Sequence, residues 1–225
     1  DMAIALVRQA TNNQGSGTSL AVTITAPTNG NALVCITGQN SDAVTGISGG
    51  GVTWALLKKA NFGFYACEIW YGLNASSGGT TVTITYGSST RAGAVVAEFS
   101  GILTSGAADA SVNQASGTST TPSPGAVDPA SAPALYLAGF TTNGTYSGGA
   151  GGGFTAFTDP GLGGGVLAIR GAYLIDNSTH GSQTASATLS ASVAWESAAG
   201  VLLGTSGGGG SSKKDAMGMS GFFGI

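Results

Sequence analysis

Charge is what this chain has least of. Asp, Glu, Lys and Arg make up 8% of its 225 residues, about a third of the usual share. Seven basic and ten acidic residues leave a formal net charge of −3. No nucleic acid is expected as a partner, because that grip needs a basic stripe. Histidine is nearly absent, with His180 alone, and cysteine is limited to Cys35 and Cys67. That is too few ligands for an ordinary metal site. Both cysteines lie in strand-like runs. They read as buried free thiols acting as small hydrophobes, with a disulfide between them as the alternative. No apolar run reaches membrane-spanning length, so no membrane contact is expected. The opening Met2-Ala-Ile-Ala-Leu-Val7 is too short for a signal-peptide core and has no basic lead. It reads as a first strand. Sustained helical periodicity with caps is missing throughout.

What the chain has in abundance is glycine, 40 residues, without the period of three that marks collagen. The apolar fraction is an ordinary 42%. The glycines therefore punctuate a folded chain, supplying turns and close backbone approaches. Ser, Thr, Asn and Gly must cover most of the surface. Such surfaces suit extracellular proteins and the shells of large assemblies.

Short strand-like runs recur between Gly/Ser/Asn turns. They are Leu20–Thr25, Ala32–Thr37, Val52–Leu57, Phe64–Gly72, Thr80–Tyr86 and Gly93–Gly101. The second half repeats them. Ala134–Gly139 falls 102 positions after Ala32–Thr37, and Ala168–Leu174 falls 102 after Ala66–Gly72. Gly152-Gly-Phe-Thr155 follows Gly50-Gly-Val-Thr53 at the same offset. A constant offset over several segments marks a duplicated half. The expected fold is all-β, a jelly-roll-like antiparallel β-sandwich spanning 1–205, with repeats over about 4–103 and 109–204. Either two tandem small sandwiches or one larger sandwich fits, and we expect the single one. Glu68 and Arg170 occupy equivalent places in the repeat. Opposite charges at such sites would meet across the pseudo-axis, or else each points to solvent.

After Thr205 the composition changes. Ser206-Gly-Gly-Gly-Gly-Ser-Ser212 is a linker sequence. It leads to a compact apolar end behind two lysines. Either this end is a solvated tail or it docks on its own body or another subunit. We expect docking, with Lys213, Lys214, Met217, Met219, Phe222, Phe223 and Ile225 as the partner-binding residues. Twenty extended residues reach at most about 65 Å, at roughly 3.3 Å each, enough to cross to a neighbour.

Chemistry is thin. His180 lies in a turn-like stretch with Asp176 nearby, but no Gly-x-Ser-x-Gly elbow accompanies it. Paired carboxylates would have to come from Glu68, Glu98, Glu196 and the aspartates, and Glu68 and Glu98, both in apolar strands, would serve only if they faced one cleft. The Gly149–Gly153 and Gly163–Gly165 runs lack the Lys-Ser/Thr of a phosphate loop. Trp54, Trp70, Trp195, Tyr71 and Tyr173 read as core aromatics, with carbohydrate stacking as the alternative. No catalytic residue and no cofactor is expected.

One set of motifs carries a family resemblance. These are Gly51-Val-Thr-Trp-Ala-Leu, Glu68-Ile-Trp-Tyr-Gly72, Thr80-Thr-Val-Thr-Ile-Thr, Ala94-Val-Val-Ala-Glu-Phe-Ser-Gly101 and Thr188-Leu-Ser-Ala-Ser-Val-Ala-Trp195. Over residues 30–204 the chain resembles an uncharacterised β-sandwich family found in tailed-bacteriophage virion proteins and secreted bacterial proteins. The resemblance implies a non-enzymatic structural component of a phage-like virion, a capsid decoration or head/tail-associated fibre protein. It would sit on the outer surface of the virion. Its partners would be other virion proteins, such as a capsid or tail subunit, and copies of itself. The alternative is a secreted carbohydrate-binding or adhesion module, with a surface carbohydrate as partner.

Overall fold

The computed structural model describes residues 3–40, 43–63, 65–161 and 167–205. The seven tail positions named above lie outside these, as do Met2, Phe64 and the Gly163–Gly165 run. The protein is an all-β antiparallel sandwich. Each half of the chain builds its own large sheet.

In the first half β1 (Ala5–Thr23) and β6 (Thr81–Ser100) are single long strands where the sequence suggested pairs of short ones. Both bend midway, and register shifts at Gln14, Gly17 and Ser19 of β1 mark the corner. Extra residues on one strand of a pair produce such bends. The start of β1 and the end of β6 join β2 (Ala32–Asn40), β5 (Tyr65–Gly72) and β4 (Trp54–Asn61) in the order β1-β6-β2-β5-β4. The other ends fold back over this sheet with β3 (Val44–Gly49), which the sequence did not reveal. Leu20, Val22, Ile24, Val82, Ile84 and Tyr86 then close against Leu33, Cys35 and Val96. A two-layer unit results, with its own core.

The second half repeats the winding with shorter pieces. Its large sheet runs β10-β11-β9-β13-β7, from β10 (Thr155–Ala156), β11 (Ala168–Asp176), β9 (Ala134–Thr142), β13 (Val193–Leu203) and β7 (Ala108–Ser119). Its outer layer is reduced to β8 (Ala126–Val127) paired with β12 (Gln183–Thr184), plus isolated bridges at Tyr146–Leu189 and Gly151–Ser186. Tyr136, Phe140 and Phe154 fill its core.

The two large sheets pack face to face. Val34, Ile36, Ile69, Val95 and Phe99 meet Leu135, Leu137, Phe157, Ala198 and Leu202 in a shared central core. Phe157, Tyr173 and Phe99 form a ring cluster there, with centroids 4.8 to 6.3 Å apart.

The strand registers correct the repeat. Ile36 pairs with Ile69 and Val95, while Gly139 pairs with Gly171 and Ala198. Matching these ladders places β2 on β9 at an offset of 103, Ile36 to Gly139, where the letters suggested 102. The difference matters because a one-residue slip turns every side chain to the opposite face. At 102, Leu33 would match Leu135, yet Leu33 belongs to the outer core of its half and Leu135 to the central one. At 103 the faces agree. On β5 and β11 the offset is 102, so Glu68 and Arg170 are indeed equivalent.

Under this matching, residues on the central interface touch their own equivalents. A Cβ on Gly139 would come 2.8 Å from Ile36, and one on Gly38 would collide with Thr141. Such self-pairing is the signature of a twofold relation, here within one chain. Ile36 and Ile69 stand where the other half has Gly139 and Gly171, and the glycines let the isoleucines in.

Candidate functional site

The buried charges are the first place to look for chemistry, because burial of an ion needs a reason. Glu68 faces the outer core of the first half. Its Oε1 accepts from Gln39 Nε2 and from the Val44 N–H, both at 3.0 Å, and its Oε2 accepts from Trp70 Nε1 at 2.9 Å. Lys59 Nζ lies 3.6 Å away. Arg170 faces the outer core of the second half. It grips Asp159 with two nitrogens at 3.1 and 2.7 Å, donates to the Gly148 carbonyl, and stacks 4.2 Å from the Tyr146 ring centre. Glu68 and Arg170 neither meet nor point to solvent, being 1% and 8% exposed. Each points away from the central interface into its own half, so the pseudo-axis separates them.

Glu98 is also committed. Its Oε1 accepts from the Thr28 N–H at 2.9 Å and Asn31 Nδ2 at 2.6 Å, and Arg8 Nε sits 2.8 Å from Oε2. Along β2, Glu98 pairs beside Leu33 and Glu68 beside Thr37. Four residues of strand separate those positions, about 13 Å at roughly 3.3 Å per residue. The two carboxylates share no cleft, and both serve to close turns. Asp176 accepts from the N–H and hydroxyl of Thr179 and of Ser178, and these bonds, led by the Thr179 N–H, hold its carboxyl below its ordinary value. It does not orient His180. Asn177 clamps both the N–H and the carbonyl of Ile4. Among the described residues no three His, Cys, Asp or Glu side chains gather as a metal site.

The two cysteines are free and lie on opposite faces of the sheet, Cys35 in the outer core and Cys67 in the central one. Burial raises both thiols, Cys67 to about 12. The aromatics resolve differently. Trp54 and Trp70 flank the outer core of the first half, with indole N–H groups bonded to the Gly49 carbonyl and Glu68. Tyr71 and Tyr173 flank the central core.

Trp195 is buried as well, with its ring over Gly117. It lines a groove of about 240 Å³ with Phe62, Gly63, Tyr65, Ser116, Gly117, Thr118, Ala194 and Glu196. The groove lies where the β4–β5 hairpin of the first half crosses the β7–β13 edge of the second. Phe62 stands 54% exposed at the hairpin tip, the most exposed large apolar side chain among the described residues. Trp195 is anchored by its N–H to Ser119 Oγ at 2.9 Å. Glu196 forms the floor and accepts the Phe62 N–H at 2.9 Å. Burial raises the Glu196 carboxyl, opposed by bonds from the backbone of Phe62, Tyr65 and Gly63 and by the Lys59 charge. Glu196 therefore fixes the loop that carries Phe62. Sequence reasoning named Glu196 only as one of several possible paired carboxylates and missed Phe62, because only the packing of one half on the other brings the two together.

The groove has a definite place on the body. β2, β5 and β13 all have one terminus beside it. At the other end of these strands the chain leaves at Thr205, whose N–H donates to the Gly101 carbonyl at 2.8 Å. Ile102 bridges to Gly204 there, and Ile4 lies against Gly204. The linker between halves and both ends of the described chain thus gather opposite the groove. No family model, no curated protein and no solved structure matches the chain.

Proposed function

We propose that this protein is a non-enzymatic display component of a phage-like virion, a capsid decoration or head/tail-associated fibre protein held through residues 206–225. The observation that carries the reading is the polarity of the body. Thr205, after which residues 206–225 follow in the sequence, lies at the end where the linker also lies. The opposite end presents hairpin tips and the aromatic groove. A module anchored at one end and presenting loops at the other needs this layout. The engagement of Glu68, Glu98 and Arg170 in internal hydrogen bonds and ion pairs supports the absence of a hydrolytic role. The low charge and the Ser/Thr/Gly surface fit a crowded protein shell.

The test uses an antibody against the folded body on particles purified from a culture that expresses the protein. Gold label on intact particles is expected, and a chain truncated after Gly204 should remain folded but fail to incorporate. Finding the protein only as free secreted material would sink the virion reading. It would favour a secreted adhesion module instead, the second reading that the groove supports.

A further inference from the structure

We infer that the groove between the β4–β5 hairpin and the β7–β13 edge is a saccharide-binding site that takes a neutral sugar ring. The argument starts from exposure. A hydrophobic ring more than half exposed on a tip with few charges gains nothing for folding. The backbone of Phe62 is nonetheless tied down, because the Glu196 carboxylate accepts the Phe62 N–H at 2.9 Å. Rigid aromatic platforms bind flat, weakly polar surfaces at low entropy cost. The C–H face of a pyranose is such a surface.

The remaining lining supplies what a sugar's edge needs. Ser116 and Thr118 bring hydroxyls and Tyr65 brings a phenol. This mixture of ring and hydroxyl matches neither a lipid nor a charged peptide. An acidic sugar is disfavoured, since the charged side chain in the lining is a glutamate. The volume suits one ring of a longer glycan, smaller than a drug-sized pocket. Both halves contribute, so the site exists only in the assembled pair of sheets.

The inference rests on the display reading for its orientation, with the groove facing away from the anchor. Its binding test does not depend on anchoring, so the two can fail separately. The full chain is examined by saturation-transfer NMR and calorimetry against soluble tetrasaccharides of glucose, mannose, galactose and N-acetylglucosamine. At least one should bind with about millimolar affinity or tighter. Phe62→Ala should weaken it about tenfold or more without altering the thermal midpoint. Leu56→Ala, which removes another exposed apolar side chain on β4, should leave binding unchanged. Absence of binding across the panel overturns the proposal. So does equal weakening by Phe62→Ala and Leu56→Ala. Self-association that depends on Phe62, with no sugar bound, would reassign the groove to contacts between copies.

Discussion

Val82 and Ile84 in the first half have Ala185 and Ala187 as their counterparts in the second. Both pairs face the outer core of their own half. The second half has lost bulk from its outer layer. It regains bulk from its large sheet, where Tyr136 and Phe140 stand at the places of Leu33 and Thr37. Cores tolerate such exchange when total volume is kept. The polar centre shifts with it. Thr37 bonds Tyr86 and Gln39 beside Glu68 in the first half, whereas Phe140 lies beside Arg170 in the second. One winding thus supports a buried acid on one side and a buried base on the other. Each is satisfied locally. The halves differ as separate cores while remaining complementary where they touch.

The largest test of that difference removes the two charges separately. Glu68 is 1% exposed with donors on both oxygens. Glu68→Ala strands the Val44 N–H, Gln39, Trp70 and Lys59, and should cost about 3–5 kcal/mol. Arg170→Met leaves Asp159, whose side chain is 35% exposed and open to water. It should cost about 1.5–3 kcal/mol. Urea unfolding of both variants measures the difference. If the charges acted as one pair across the axis, the double variant would recover much of the loss. We expect the two costs to add, as they do for sites without shared partners.

Complementarity at the axis gives the next effect. Gly139→Val places methyl groups where Ile36 and Cys67 already sit, at 2.8 and 2.6 Å from the position of a Cβ. Overpacking of this kind costs about 1–3 kcal/mol. Ile36→Ala alone opens a cavity and costs about 2–5 kcal/mol. Combined, the two should cost clearly less than their sum, because the valine occupies the space the isoleucine vacates. Strict additivity in denaturant midpoints would show that these equivalents do not touch.

These contacts also mark how far the sequence alone reaches. The all-β class and the positions of β2, β5 and β9 are legible, since apolar runs between glycine turns can be read directly. The joining of Leu20–Thr25 to the preceding strand is not, because a bend without a loop leaves no turn signal. β3 is missed because its Val44, Gly46 and Ile47 alternate too weakly. The 102-residue offset misleads at β2 because Ala-Leu recurs in the letters on the wrong face. Only pairing decides register. For the groove, Glu196 was visible as a carboxylate, but its bond to the Phe62 N–H depends on how two sheets cross, which no local pattern encodes.

A smaller effect distinguishes the groove end from its counterpart in the first half. Glu196 stands at the place of Gly93, so only the second half carries a carboxyl there. Its folded carboxyl is raised above the ordinary value, chiefly by burial. The folded state therefore binds this proton more tightly than the unfolded chain. This group's contribution becomes more favourable as pH falls from its raised value toward the ordinary carboxylate range, and less favourable as pH rises through that window. Glu196→Gln should remove this dependence. The gap between wild type and variant in thermal midpoint should narrow or widen between pH 7 and pH 5 in the sense that wild type gains. A gap that is constant with pH would show that the carboxyl titrates alike in both states.

The thiols should respond least, and alike despite facing different cores. Cys35 and Cys67 are each 0% exposed, and burial raises both away from the reactive thiolate. Thiol reactivity follows the thiolate. Ellman's reagent at pH 8 should therefore titrate neither in the native protein and both in urea. Reductant should leave the melting curve unchanged, because the two sulfurs project from opposite faces of one sheet. If one thiol reacts early, its rate reports local opening of the core it occupies. Early reaction at Cys35 would mean that the first half's outer layer lifts while the central interface holds. Early reaction at Cys67 would mean that the two halves part first, with the outer layers still closed.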